Sequence, residues 1–309
     1  MVVNSKIYFD LGVEVLNDLL EVRNIRKKVK EKELIKDLTF NLSSGEIIGL
    51  IGANGAGKTT ILRALSQLIS VDGGEIKYNG VNVFSTPIDY RKNIGTLIET
   101  PSFYKKLTGL ENIKLFMQLY GKNDLHLINE VTKELNLYEH LNKKVEIYSL
   151  GMRQRLALAQ LIAIQPKILL LDEPMNGLDP EGMIEFRNIL LDLKSKGIAI
   201  LISSHLLSEL ENVCDRFLFV KKGSVKELNI GSSDTISKTY LLKEINPLKT
   251  KITNKFNVTI DDNKIIYIAS STNHKQLLKY LVDNDLEVLN INVDNDLEQS
   301  YMNISLLEE

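Results

Sequence analysis

Residues 52–59, Gly-Ala-Asn-Gly-Ala-Gly-Lys-Thr, have the composition and spacing of a phosphate-binding loop. They follow an apolar, strand-like run and open a helical pattern, which is the context that such a loop requires. Its backbone N–H groups turn inward toward phosphate oxygens, and the positive end of the helix adds to the attraction. Lys58 is expected to reach the β- and γ-phosphates, and Thr59 to offer its hydroxyl to Mg²⁺. The candidate nucleotide-binding residues of the loop are Gly52, Asn54, Gly55, Gly57, Lys58, Thr59 and Thr60.

Two adjacent carboxylates, Asp172 and Glu173, end the apolar run 168–171. This pattern is typical of a buried parallel strand that delivers acids at its carboxyl end, where α/β sheets bind ligands. In phosphoryl transfer the protein mainly positions water and neutralises charge. We expect Asp172 to hold the Mg²⁺ shell and Glu173 to orient or deprotonate the attacking water. In isolation a helix cap or a solvated loop explains the pair better, and it is the pairing with the phosphate loop that favours the chemical role.

The elements that position these groups alternate between strand-like and helical patterns over residues 20–222, which predicts an α/β domain. Residues 108–165 carry helical spacing and predict a helical subdomain inside it. From residue 223 to 309 the composition becomes rich in Asn, Asp, Lys and Ile, with helix, hairpin, helix and strand patterns that predict a small α+β domain. Residues 1–19 form an N-terminal extension to which the sequence assigns no function.

Composition restricts the partners of the chain. The 309 residues carry 38 basic and 40 acidic side chains, a net charge of -2, which provides no general attraction for nucleic acid or anionic lipid. The single cysteine, Cys214, forms no internal disulfide, and the N-terminus lacks the pattern of a secretory signal. Apolar runs fall well short of the about 20 residues that cross a bilayer as a helix. We therefore expect a cytoplasmic protein without a nucleic-acid partner.

Beyond the phosphate loop and the acidic strand, residues 148–155, YSLGMRQR, resemble the signature loop of the ABC transporter ATPase family. In that family the serine and glycine backbone groups at the start of a helix bind the γ-phosphate held by the opposite subunit. Ser149 and Gly151 match those positions. Leu150 and Met152 depart from the usual glycine and glutamine, which weakens this motif alone and leaves the set of motifs intact.

Two more motifs follow in the order of that family, so that the resemblance covers residues 20–222. Residues 176–180, NGLDP, resemble the D-loop that crosses a dimer interface, and residues 203–205, SSH, resemble the switch-histidine motif. His205 follows an apolar strand and is expected at the same sheet edge, where it donates a hydrogen bond to the γ-phosphate. Asp179 is by default a turn residue before a proline, a local role that is compatible with an interface role.

Glu99 stands at a strand end where the family commonly has glutamine. A carboxylate still ligates Mg²⁺ or its waters, and the alternative is a surface acid at a strand end. With the form of the signature loop and the small C-terminal domain, Glu99 makes the chain similar to the ATPases of bacitracin-resistance and lantibiotic-immunity exporters.

Val29 falls where the family has an aromatic residue that stacks on adenine. Stacking of a base on an aromatic side chain contributes about 1 to 3 kcal/mol in other nucleic-acid settings, so its loss is expected to weaken affinity or relax base preference. Tyr8 or Phe9 of the extension are candidates to replace it, although core or edge-strand packing is the favoured role for these two residues. The preference for ATP over GTP is therefore an inference from the family.

The resemblance implies a P-loop NTPase fold of the ABC ATPase type, with a mixed sheet core and a helical subdomain, and ATP and Mg²⁺ as cofactors. It implies an exporter ATPase working as a dimer of two copies, held at the inner face of the cell membrane by a separate permease that docks near residues 100–121. The implied catalytic residues are Glu173, His205 and Lys58, the implied metal ligands are Thr59, Glu99 and Asp172, and the remaining implied nucleotide contacts are Val29, Ser149, Gly151 and Asp179.

Two other functions compete with export. A non-transport ABC ATPase acting on ribosomes or DNA usually has two cassettes in one chain or a long coiled coil between the cradle and the signature, whereas here a short stretch separates Lys58 from Ser149. A P-loop kinase of small molecules leaves the signature loop, D-loop and switch histidine unexplained. A neighbouring gene for a polytopic membrane protein supports export, and its absence favours the first alternative.

Overall fold

The computed structural model describes residues 18–99, 101–229, 236–243, 248–256, 258–261, 264–269, 274–284 and 286–294. The chain forms two compact units, which divide between Glu227 and Leu228. The N-terminal extension up to residue 17, with Tyr8 and Phe9, lies outside the described residues.

Ten strands of the described chain form one large sheet with parallel and antiparallel pairs. In chain order they are β1 (Leu20–Val29), β2 (Lys32–Leu42), β3 (Ile47–Ile51), β4 (Gly73–Tyr78), β5 (Val81–Asn82), β6 (Ile94–Leu97), β7 (Ile168–Asp172), β8 (Ala199–Ser204), β9 (Arg216–Lys221) and β10 (Ser224–Asn229). Their order across the sheet is β5-β4-β1-β2-β10-β9-β3-β8-β7-β6. The mixed sheet confirms the predicted α/β core.

The helices of the larger unit connect these strands. They are α1 (Lys58–Leu65), α2 (Pro87–Asn93), α3 (Gly109–Leu119), α4 (Leu125–Glu134), α5 (Leu150–Ala163), α6 (Pro180–Ser195) and α7 (Leu207–Leu210), with short 3₁₀ turns at Tyr138–His140 and Val145–Ile147. The run from α3 to α5 confirms the predicted helical subdomain. It begins at a capping box, in which Thr108 and Glu111 bond each other's backbone N–H groups.

Parallel pairing of β9, β3, β8, β7 and β6 makes the functional edge of the sheet. Every residue of β3, β7 and β8 is buried, as expected for strands that are covered on both faces. The register aligns Leu50 with Ser203 and Ser203 with Asp172, so the three strands end at the same level. The loops that follow them therefore emerge side by side.

The smaller unit has the order strand, helix, two strands, helix, strand. Its elements are β11 (Ile236–Leu242), α8 (Lys249–Phe256), β12 (Thr259–Asp261), β13 (Lys264–Ala269), α9 (His274–Asp283) and β14 (Val288–Asp294), and its antiparallel sheet has the order β12-β13-β11-β14. This is the split βαβ arrangement of ferredoxin-like folds. Its core includes the fully buried Tyr240, Ile252, Ile265 and Leu277. The α+β prediction for this part of the chain is confirmed.

Within the described residues, none of the helices has the length and apolar character needed to cross a bilayer.

Candidate functional site

The phosphate loop lies between β3 and α1, and its conformation depends on glycine. Gly55 and Gly57 have φ of 79° and 118°, which L side chains rarely adopt. A Cβ at Gly52 would lie 2.3 Å from the carbonyl oxygen of Val220, and one at Gly57 would lie 3.1 Å from that of Leu34. The spacing predicted from the sequence thus corresponds to positions where backbone conformation or close approach excludes a side chain.

Lys58 is almost fully buried, with 4% of its side chain exposed, and its ammonium is held from three directions. Its Nζ donates to the carbonyl oxygens of Gly52 at 2.6 Å and Ala53 at 3.3 Å. The same Nζ lies 3.2 Å from Oε1 of Glu173. A buried charge needs such partners, so Lys58 couples the phosphate loop to the acidic strand.

Asp172 accepts two hydroxyl hydrogen bonds at the end of β7. Thr59 Oγ1 donates to its Oδ2 at 2.7 Å, and Ser203 Oγ donates to its Oδ1 at 2.6 Å. Ser203 Oγ also accepts from the backbone N–H of Glu173 at 2.9 Å. No individual role was predicted for Ser203 from the sequence. The only signal for one was a small polar residue at the end of an apolar strand.

Glu173 occupies the centre of the site in a strained backbone conformation, with φ of 44°. Asn176 Nδ2 donates to its Oε2, and Nδ1 of His205 lies 3.3 Å from the same oxygen. Partial burial works to raise the pKa of Glu173, but hydrogen bonds from Asn176 and Lys58, together with the charges of Lys58 and His205, outweigh it and lower the pKa below its usual value. The carboxylate is therefore held ionised.

His205 follows β8 with one third of its side chain exposed. Although Nδ1 is close to Glu173, it is buried and makes no hydrogen bond of good geometry within the described part of the chain. Buried polar nitrogens are normally satisfied, so this atom is free to exchange its weak contact for a ligand. The structure therefore brings Lys58, Thr59, Asp172, Glu173 and His205 together, as the sequence predicted.

A cleft of about 440 Å³ opens beside the phosphate loop. The predicted residues Asn54, Gly55, Gly57, Lys58, Thr59, Thr60 and Glu173 line it, and Lys32, Glu33, Leu34, Ala56, Lys222 and Gly223 complete the lining. No motif in the sequence pointed to the residues from β2 or to those from the turn after β9. The glycine cradle, the buried ammonium and the helix start fit the phosphates of a nucleotide.

No residue of the signature loop or of the D-loop lines that cleft, and the two motifs contact each other. Ser149 is an exposed N-cap whose side chain accepts from the N–H of Met152, and Asp179 caps α6 by accepting from Gly182. A Cβ at Gly151 would lie 3.5 Å from Leu178 of the D-loop. Neither Ser149, Gly151 nor Asp179 lines the cleft of its own chain.

Glu99 and Val29, which also depart from the family pattern, are both exposed. Glu99 has 64% of its side chain exposed and φ of 65°, and it pairs with Arg63 of α1. Among the described residues, no hydrogen bond or ion pair joins it to Thr59 or Asp172. Val29 is 49% exposed, pairs with Lys32 across the β1–β2 hairpin and does not itself line the cleft.

For Mg²⁺, the described residues contain no group of three or more His, Cys, Asp or Glu side chains that could form a complete metal site. Thr59 Oγ1 and Asp172 Oδ2 lie 2.7 Å apart and present two hard oxygens at the edge of the phosphate loop. Mg²⁺ in nucleotide sites takes one or two protein ligands besides phosphate and water, and this pair fits that requirement.

Comparison with known proteins places the site in a family. The ABC transporter family profile matches residues 35–176. The chain is 36% identical to the uncharacterised ABC transporter ATP-binding protein YdbJ of Bacillus subtilis over 88% of this chain and 90% of YdbJ. It is 32% identical to the bacitracin transport ATP-binding protein BcrA of Bacillus licheniformis over 93% of this chain and 96% of BcrA. With the lantibiotic transport ATP-binding protein SrtF of Streptococcus pyogenes the identity is 38%, over 67% of this chain and 89% of SrtF.

Solved structures of ATP-binding cassettes share the fold of this chain. A structure described as the ATP-binding subunit of an ABC transporter superposes with a TM-score of 0.64 and 26% identity, over 85% of this chain and 99% of that one. The dimeric ATP-binding cassette MJ0796, bound to ADP and phosphate, superposes with a TM-score of 0.63 over 69% of this chain and all of the other. At 23% identity the second match supports the fold alone.

The hydrogen bonds of Glu173 give a test of its electrostatics. Replacing Asn176 by alanine removes the largest of the contributions that lower the pKa of Glu173, so that pKa is expected to rise, and by more than in a His205→Ala variant. Carboxyl ¹³C NMR titration measures both, with Asn188→Ala on the exposed face of α6 as the control.

The lowered pKa of Glu173 makes the free energy of unfolding depend on pH. Since the folded-state pKa is lowered, ionised Glu173 stabilises the fold above the ordinary carboxyl pKa of the unfolded chain. That contribution is lost as the pH falls through the lowered value.

In the NMR titration, an unchanged pKa of Glu173 in Asn176→Ala, or a larger change in His205→Ala, would contradict the geometry described for this carboxylate.

Proposed function

Because the chain belongs to the family of ABC transporter ATP-binding proteins, we propose that it is the ATP-hydrolysing subunit of an exporter that acts through a separate membrane permease. The observation that carries the proposal is the convergence of Lys58, Asn176 and His205 on one ionised carboxylate, Glu173, beside a phosphate cradle. A structural ion pair needs neither the strained φ of Glu173 nor a glycine loop next to it.

In this proposal the residues of the chain divide the work of phosphoryl transfer. The N–H groups of residues 52–59 and the ammonium of Lys58 neutralise phosphate charge. Glu173, kept ionised by its hydrogen bonds, orients the attacking water and accepts its proton. His205 donates a hydrogen bond to the terminal phosphate. Thr59 and Asp172 would hold Mg²⁺, which when bound neutralises charge on the β- and γ-phosphates.

The second part of the proposal is that each active site combines residues of two copies of the chain. Within the described part of the chain, Ser149 is exposed and its side chain makes one hydrogen bond, which caps α5, and it does not line the cleft of its own chain. In a dimer of two copies, the N-terminus of α5 would face the nucleotide held by the other copy, where its N–H groups attract phosphate. Asp179 and the D-loop, which contact this helix, would then lie at the interface.

A groove on the helical subdomain is the proposed docking site of the permease. Residues 101–121 of the predicted docking stretch are described, and α3, α5 and β6 border a cavity of about 430 Å³. Tyr104, Leu115 and Leu119 line it with exposed apolar surface, and 79% of the Leu119 side chain is exposed. An apolar groove of this kind accepts a helix with apolar anchors.

The proposed cargo follows from the relatives. BcrA is named for transport of bacitracin and SrtF for transport of a lantibiotic, so we propose that this chain energises efflux of an antibiotic peptide or a similar amphiphile and confers resistance or immunity. It would then lie on the inner face of the cell membrane through its permease. The alternative of an ABC ATPase acting on ribosomes or DNA has no counterpart among the relatives described above.

Replacing Glu173 by glutamine tests the catalytic role. The amide retains the size of the side chain but cannot accept a proton, so turnover is expected to fall about a hundredfold or more while ATP binding and dimer formation persist. Phosphate release and size-exclusion chromatography with ATP and Mg²⁺ measure these properties, with Glu139→Gln as the control in an exposed 3₁₀ turn. Hydrolysis near the wild-type rate in Glu173→Gln would refute the mechanism.

Replacing Leu119 by glutamate tests the docking groove. A charge on this exposed position should not disturb folding, but it should weaken co-purification with the permease about tenfold or more and abolish protection of cells against the transported peptide. The ATPase activity of the isolated subunit should be unchanged. The control is Ile88→Glu, equally exposed on α2. Full permease binding and full peptide resistance with Leu119→Glu would exclude the groove as the docking site.

A further inference from the structure

The turn between β9 and β10 places a lysine in an unfavourable conformation. Lys222 and Gly223 form a two-residue hairpin loop with φ of 48° and 81°. Turns with positive φ at both central residues strongly favour Asn-Gly or Asp-Gly, and a long side chain such as lysine is uncommon there. Lys30 has a similar φ in the β1–β2 turn, so the role of Lys222 rests on its position at the cleft and not on strain alone.

Backbone contacts fix this turn against the phosphate loop. The N–H of Gly223 donates to the carbonyl oxygen of Ala56 at 3.1 Å, and the N–H of Lys36 donates to the carbonyl oxygen of Gly223 at 2.9 Å. A Cβ at Gly223 would lie 2.7 Å from the carbonyl oxygen of Leu34. These contacts hold the turn against the phosphate loop, and Lys222 lines the cleft.

The charges of the cleft leave two lysines available for a ligand. Lys32, Lys58 and Lys222 line it together with Glu33 and Glu173. Lys58 already has Glu173 and two carbonyl oxygens as partners. Within the described part of the chain, neither Lys32 nor Lys222 makes a side-chain hydrogen bond or ion pair.

In the described part of the chain, the cleft offers no surface for base stacking. No aromatic side chain lines it there, and the hairpin that borders it carries Val29 opposite Lys32. Stacking on an aromatic residue would strengthen binding about fivefold to a hundredfold for any base. Without such stacking, the lysines that line the cleft can contribute affinity for a nucleotide through their charge.

We propose that Lys222, assisted by Lys32, is a nucleotide-binding residue that replaces base stacking by attraction to the phosphates. The proposal rests on the nucleotide site proposed above and adds its selectivity: the chain binds ATP and GTP with similar affinity, because the groups that hold the ligand contact phosphate and not the base. It accounts for a strained lysine at the turn and for valine at position 29 together.

The test replaces Lys222 by asparagine, which suits a positive φ and therefore keeps the turn. Affinities of the full-length protein for ATP, GTP and inorganic tripolyphosphate are measured by calorimetry at low and high salt, with EDTA present to prevent turnover. Lys222→Asn should weaken all three about three- to tenfold, reduce the salt dependence of binding and leave the melting temperature equal or higher. Lys222→Arg should restore the affinity.

Lys30→Asn is the matched control, because Lys30 also has a positive φ, of 54°, in a two-residue hairpin turn but does not line the cleft. Its affinities should equal those of the wild type. Unchanged affinities in Lys222→Asn, or a wild-type preference for ATP over GTP of more than about tenfold, would overturn the proposal. Failure of the wild type to bind any nucleotide would instead refute the nucleotide site itself.

Discussion

Parallel pairing of β3, β8 and β7 is the constraint on which the rest of the structure depends. Because the three strands end in register, the phosphate loop, His205 and the Asp172–Glu173 pair emerge at one edge of the sheet. Ser203, on β8, connects that strand to the end of β7 by bonding the carboxylate of Asp172 and the backbone N–H of Glu173. Lys58 of the phosphate loop, which follows β3, pairs with the carboxylate of Glu173. The residues of these strands are buried, and the polar groups of the candidate site lie where each strand ends.

Much of this arrangement was accessible from the sequence, because each motif coincides with a strand end or a helix start. The mixed sheet, the helical subdomain and the α+β unit were predicted from periodicity and resemblance and are confirmed. The bridging role of Ser203 was not predicted, since it depends on a register between strands far apart in the chain. Lys222 and Lys32 were missed for the same reason: a single lysine in a turn or strand carries no pattern until folding brings it to the cleft.

Lys58 and Glu173 are partners of each other beside the phosphate loop. In the proposed function, the ammonium of Lys58, which Glu173 and two carbonyl oxygens of its own loop hold, would exchange a partner for phosphate. Glu173 would then lose one cation and keep Asn176, whose hydrogen bond contributes most to lowering its pKa. Glu99, paired with Arg63 at the surface, is outside this network as the structure describes it, so any metal contact would require it to leave Arg63.

In the proposed dimer, a working site combines the cradle of one copy with the signature loop of another. Mixing two inactive variants shows whether sites are shared in this way. Lys58→Ala removes the cradle lysine, and Gly151→Asp places a repelling charge in the first turn of α5, where an acidic residue suits the helix. If the sites are shared, mixed dimers regain one intact site, and ATPase activity reappears on mixing. If the mixture remains as inactive as either variant alone although mixed dimers form, each chain holds its own complete site and the shared site is refuted.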